Sequence, residues 1–227
     1  ASLRMIRGLN PTGLLWLGFF VSILAAWIAL FAMTLTAPVA GLPAEIWDAL
    51  CGGPLTASFP GLFAMWALMA AAMMLPTFVP ALRTFQHLGH AGATRPRDAV
   101  ALVSGYALVW LGFAAVAAAA QQGLAGTGMV GPAGQSLSPW LTAALLLGAG
   151  LYQLSAVKAA CLAKCRMPLT FFMERWAPGP AHAIRMGAEL GLLCLGCCWA
   201  LMALAFVGGT MNLLWMGAAT LFMTLEK

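Results

Sequence analysis

Residues 182–207 read HAIRMGAELGLLCLGCCWALMALAFV. Beyond Arg185 the stretch holds one charge, Glu189, and is otherwise apolar over a full helix length. Crossing roughly 30 Å of hydrocarbon takes about 20 apolar residues. The run is continuous rather than alternating, which excludes a strand of a transmembrane β-barrel. It also carries Cys194, Cys197 and Cys198 within five residues, with Met202 one turn further on. A helix needs no thiols to sit in lipid, so this stretch sets both the fold class and the chemistry to look for.

The rest of the chain follows the same pattern. Its 227 residues are 63% hydrophobic and 7% charged, with a mean hydropathy of +0.92. Soluble domains carry about 25% charged residues. Six apolar stretches are legible, at about 14–35, 60–82, 99–122, 139–163, 182–207 and 208–225. They predict an all-α, polytopic transmembrane helical bundle, a single integral membrane domain over 1–227. The first stretch is too long for the core of a cleaved signal peptide, and Ala37-Pro38-Val39-Ala40 after it is a weak cleavage signal.

Charge supports this count. If six helices alternate, all 11 basic residues fall on one side: Arg4, Arg7, Arg83, Arg95, Arg97, Lys158, Lys164, Arg166, Arg175, Arg185 and Lys227. The opposite loops carry only Glu45 and Asp48. Basic residues stay on the cytoplasmic side of short-looped membrane proteins, so both termini are expected there. The net charge of +5 then reports topology and contact with anionic lipid, and no nucleic-acid partner is expected.

The connections are read from their turn residues. Loop 36–59 contains Pro38, Pro43, Cys51 and Pro54 and predicts a short interfacial helix around Glu45–Leu50. Arg95-Pro96-Arg97-Asp98 reads as the start of the third helix, and 121–139 as an uncharged outer loop. In 166–181, apolar Leu169, Phe171, Phe172, Met173 and Trp176 stand beside Arg166, Glu174 and Arg175. That pattern predicts an amphipathic helix at the cytoplasmic interface. Gly187 and Gly191, four apart, form a face that lets a neighbouring helix approach closely.

The residues able to do chemistry are mostly sulfur. Cys194 and Cys198 are four apart on one helix face, Met202 extends that stripe, and Cys197 sits beside them. Soft thiolate and thioether ligands select Cu(I), zinc or iron–sulfur centres, and methionine shifts the balance toward Cu(I). Buried cysteine can also serve as a small hydrophobe. Cys161 and Cys165 form a second pair four apart, with Lys158 one turn deeper and Pro168 just beyond. On the second helix Met65, Met69 and Met73 make a stripe, with Met74 adjacent and Pro76 following. The last stretch adds Met211, Asn212, Trp215 and Met216.

Glu189 is the carboxylate placed well inside a helix and Lys158 the embedded base, so a Lys158–Glu189 pair is expected, with Glu189 able to lend an oxygen ligand. On straight helices the Cys161/Cys165 pair lies on the order of 15 Å from Cys194 along the membrane normal, which predicts two sites at different depths. His87 and His90 on the inner loop could serve as entry ligands or simply be solvated.

Several of these motifs occur together in a known family. Trp66, Met69, Met73, Met74 and Pro76; Gly150, Tyr152 and Gln153 followed by Lys158, Cys161, Cys165, Arg166 and Pro168; then Cys194, Gly196, Cys197, Cys198, Trp199, Leu201 and Met202; and Met211-Asn212-Leu213, Trp215 and Met216 ending in Glu226-Lys227 resemble the bacterial predicted metal-binding integral membrane proteins, a domain of unknown function. The resemblance covers about 60–227. It implies a metal-binding protein of the bacterial inner membrane. Members of that family continue past the Glu-Lys pair with a turn and another hydrophobic helix, so it also implies a further C-terminal span.

The leading reading is Cu(I) handling or delivery through Cys194, Cys197, Cys198, Met202, Cys161, Cys165, Met69, Met73 and Glu189, with zinc a weaker choice of metal. Partners would be the lipid bilayer and either other membrane subunits or a metalloenzyme being assembled. Two alternatives stay open: an accessory subunit of a larger respiratory or photosynthetic membrane complex, and a membrane thiol–disulfide oxidoreductase. The sequence shows no hydrolase triad, phosphate loop or zinc-protease motif, so no catalytic residues are assigned.

Overall fold

A computed structural model describes residues 11–34, 58–90, 95–131, 134–210 and 212–227. Apart from an isolated bridge between Val130 and Ser136, the regular structure among them is helical: α1 (Pro11–Thr34), α2 (Phe59–His90), α3 (Pro96–Gly126), α4 (Pro139–Gln153), α5 (Ala156–Arg166), α6 (Pro168–Arg175), α7 (Pro180–Ala203), α8 (Ala205–Gly208) and α9 (Leu213–Glu226). Pro96, Pro139, Pro168 and Pro180 each open a helix, where a missing N–H costs nothing and the fixed φ is already helical. The expected start at Arg95–Asp98 is found, with Asp98 Oδ2 accepting from Arg95 N at 2.9 Å. The short helix expected at Glu45–Leu50 and Cys51 lie outside the described residues.

Of the six expected crossings, four are met among the described residues by single long helices. Thr12–Met33, Phe59–Leu88, Pro96–Gly126 and Pro180–Gly208 are long and apolar enough to cross a membrane. The stretch read as one span at 139–163 is two helices, α4 and α5, bent by 61°. The break has a local cause. Ser155 is the N-cap of α5 and its hydroxyl accepts from Lys158 N at 3.1 Å, which starts a new helix where hydropathy alone reads through. The final stretch forms α9, 14 residues, which at 1.5 Å per residue is about 21 Å long and short of the roughly 30 Å core. The amphipathic segment is the short α6, with Phe171 and Phe172 buried, while Leu169 and Met173 are exposed. Phe172 packs on Phe85 of α2 at 5.4 Å between ring centroids.

The most extensive packing joins α3 to α7, and glycine makes it this close. A Cβ on Gly187 would fall on the Leu102 carbonyl, and one on Gly105 on the Ile184 carbonyl; at Gly191 it would meet Val109 Cβ at 2.9 Å. Gly187 and Gly191 thus form the expected close face, and Gly105 answers it from the partner helix. Overpacking usually costs about 1–3 kcal/mol, and here the obstacle is backbone that cannot rotate aside. Gly187→Leu is therefore expected to lower the thermal unfolding midpoint in detergent. Gly112→Ala, where nothing lies within 4 Å, should leave it in place. Equal midpoints for the two variants would refute the tight α3–α7 contact.

Helix α2 runs through two internal prolines, Pro76 and Pro80. Pro76 has no N–H to give the Ala72 carbonyl four residues back. Trp27 of α1 fills that vacancy, its Nε1 donating to Ala72 O at 3.1 Å. A buried bond from Trp66 Nε1 to Gln121 Oε1, 2.8 Å, ties α2 to α3. The residues just before Pro76 are thereby held between α1 and α3.

Candidate metal centre

Cys194, Cys197 and Cys198 lie on the buried side of α7, each no more than 3% exposed. Their Sγ atoms lie within 4.8 Å of one another. Spacings of three and four residues bring side chains onto one helix face, so α7 alone gathers all three. The fourth sulfur comes from α2. Met74 Sδ is 3.7 Å from Cys198 Sγ and 4.0 Å from Cys194 Sγ. Metal–sulfur bonds of about 2.3 Å place sulfurs that share one ion about 4 Å apart, so a set of three thiols and a thioether has the right size to hold one. Thioether in the set favours Cu(I) over zinc.

Two groups meet the cluster at Cys194. The Tyr106 hydroxyl of α3 is 3.0 Å from Cys194 Sγ and 3.2 Å from Met74 O. Lys227 Nζ donates to Cys194 Sγ at 2.9 Å and to Thr77 Oγ1 at 3.0 Å. Lys227, at the end of the short α9, thus stands at the thiols. The Cys197 and Cys198 thiols donate back to Cys194 O at 3.0 and 2.8 Å.

The expected separation of the two cysteine groups is overturned. Cys165 lies close enough to Cys197 for the two thiols to interact, and Cys161 packs on α7 where a Cβ on Gly196 would come within 2.8 Å of its Sγ. The 61° bend turns α5 against α7 and removes the depth difference that a straight helix implied. Tyr152, at the end of α4, donates to the Gly196 carbonyl beside them.

The expected Lys158–Glu189 pair is not formed. Lys158, 3% exposed, holds the Glu226 carboxylate at 2.6 and 2.8 Å and also donates to Gln153. Glu189 is held by Arg175 and by Arg185, one turn away on its own helix at 3.2 Å. It stands apart from the thiols. Its helix face turns it toward α6 instead. Met69, Met73 and Met202 line a small cavity of their own together with Met216.

Met74, Tyr106, Glu226 and Lys227 are site residues that the sequence reading did not assign. For Tyr106 a signal existed. The chain has two tyrosines, and in a chain this apolar each hydroxyl needs a partner; both find theirs on α7. Met74 differs from the stripe residue Met73 by one position, about 100° around the helix, and only the packed neighbours decide which one meets the cysteines.

The family model of PpoB2, a copper chaperone, matches residues 63–227. The chain belongs to this copper-chaperone family. The match takes in Met74, Tyr106, Cys161, Cys165, the α7 cysteines and Lys227. It agrees with the expected kinship to a metal-binding family, and together with the three-cysteine cluster of α7 it supports metal handling by this chain. No curated protein and no solved structure matches the chain.

Proposed function

We propose that the protein is a membrane-embedded Cu(I) chaperone that carries its cargo on Cys194, Cys197, Cys198 and Met74. The observation that carries this is the buried convergence of three thiols from one helix on a methionine sulfur from another. The bilayer would be that of a bacterial inner membrane, with the N-terminus cytoplasmic, as the one-sided basic residues favour. The α4–α5 pair would act as one broken crossing, α6 would lie along the cytoplasmic interface, and α9 would enter as a sixth apolar segment. The recipient would be a metalloenzyme under assembly.

Thiols must lose their protons to bind a metal. Cys197 and Cys198 would then give up their bonds to Cys194 O. A Cu(I) ion on three thiolates is a net anion, costly to bury without a counterion. Lys227, its ammonium 2.9 Å from Cys194 Sγ, supplies that positive charge, and Tyr106 orients the same sulfur. Cys165, beside Cys197, is placed to exchange with it, so ligand-by-ligand transfer toward α5 is the route the geometry favours.

Anaerobically purified protein, titrated with Cu(I) against a chromophoric chelator, should take up Cu(I) in a form that excess Zn(II) does not displace. Failure to bind Cu(I) would remove the proposal. Residues that orient metal ligands typically contribute about 10–100-fold in affinity. Tyr106→Phe is therefore expected to weaken Cu(I) retention by about that factor with the fold intact. An unchanged chelator midpoint would exclude Tyr106 from the centre.

A further inference from the structure

Next to the thiol centre, a separate small cavity is lined by Met69, Met73, Met202, Met216, Trp215 and Leu201, with two alanines completing the wall. Its volume is about 10 Å³. The four methionines come from α2, α7 and α9, and each is no more than 2% exposed. A water needs at least about 10–15 Å³ and some 2–4 polar partners; this space is at the lower limit and its lining offers sulfur and hydrocarbon. Methionine is the residue best able to bend into a gap and fill it. Four of them surround one that stays open.

We propose that Met69, Met73, Met202 and Met216 form a second site for a soft monovalent cation, made of thioethers and separate from the thiol centre. Soft thioether donors choose Cu(I) or Ag(I) over zinc or hard ions. The ligands are neutral, so the site gathers no protons to release and holds its cation less tightly than thiolates would. Trp215 lines the same space, and an indole is the best aromatic partner for a cation. Its ring is seated against Gly208, where an added Cβ would come within 2.6 Å of Trp215 Cγ.

Met202 follows Cys198 by four residues, about 6 Å along α7, and Met73 adjoins Met74 in sequence. The thioether site is therefore one helical turn from the thiol centre, on the side toward α8. If the thiols carry Cu(I) as proposed above, this is a weak holding site that feeds a tighter one.

Ag(I), which does not change oxidation state, is the probe. The full chain in detergent is titrated calorimetrically in three forms: unaltered, with Cys51, Cys161, Cys165, Cys194, Cys197 and Cys198 all changed to Ser, and with the same six changes plus Met69→Leu and Met216→Leu. Met→Leu nearly conserves volume, and circular dichroism together with a single gel-filtration peak verifies folding. Should either multiple variant fail that control, Met69→Leu/Met216→Leu in the unaltered background is read instead, as one Ag(I) fewer per chain. The thiol-free protein should keep one weaker Ag(I) with all-sulfur coordination by X-ray absorption, and the added leucines should abolish it.

An ion retained despite the leucines, or no ion in the thiol-free protein, overturns the thioether site while leaving the thiol centre standing on its own binding. Uptake unaltered by the six serines but abolished by the leucines supports the thioether site and overturns the thiol centre. No uptake by the unaltered chain overturns both.

Discussion

Changing Cys194, Cys197 and Cys198 together to serine is expected to abolish tight Cu(I) retention. The loss should exceed the roughly 10–100-fold typical of an orienting neighbour, because the ligands themselves are removed. Serine keeps the shape and a hydroxyl that can still donate to the Cys194-position carbonyl, so the helix should survive. Graded single changes give the sharper test. Cys194→Ser and Cys198→Ser remove sulfurs that lie against Met74 at 4.0 and 3.7 Å and should cost most. Cys165→Ser should cost less, since it meets the cluster through Cys197, and Cys161→Ser least. Chelator competition reads all of these. If Cys161→Ser proved as damaging as Cys198→Ser, the assignment of the centre to α7 would be wrong.

Lys158→Met is expected to destabilise the protein by about 1–3 kcal/mol, because it leaves the partly buried Glu226 carboxylate without its cation. Lys158 is 3% exposed and Glu226 lies with it at 2.6 Å. Changing both, Lys158→Met with Glu226→Leu, should recover most of that loss, because an apolar pair of similar size replaces the ions at little net cost. Unfolding midpoints in mixed detergent would measure both. Lys164→Met, on the exposed side of the same helix, is the reference; a Lys158→Met midpoint no lower than this reference would refute the buried pair. The variant has a second expected consequence. Glu226 precedes Lys227, so releasing it should let the ammonium leave Cys194 and loosen Cu(I) as well, a coupling that no change at Lys164 should produce.

The helical class was legible because hydropathy integrates over many residues and does not depend on which way any one of them faces. The glycine face of α7 was legible for a related reason: a spacing of four residues is itself the geometry of a helix face. The three α7 cysteines share that advantage, since one helix gathers them without help from the rest of the chain. Length along a span was less secure. The hydroxyl of Ser155, accepting from Lys158 N, breaks the fourth stretch although nothing in the mean hydropathy changes there, and the same break turns Cys165 onto Cys197.

Partnership across helices was not legible, and the ion pairs show why. Glu189 looks like the buried acid of the sequence because apolar residues flank it, yet Arg185 stands one turn away and Arg175 reaches it from α6. Lys158 instead finds Glu226, 68 positions away in the chain. Local composition carries no information about a contact at that distance.

The linear chain was enough to establish apolar helices suited to lipid, a close-packing glycine face and a trio of thiols one turn apart, since each of these follows from intervals within a single helix. Folding in space chose Met74 over Met73, brought Tyr106 and Lys227 to Cys194, and gathered four thioethers into a separate cavity. Each residue turns a helix by about 100°, and the facing of one helix relative to another is set by packing among all of them.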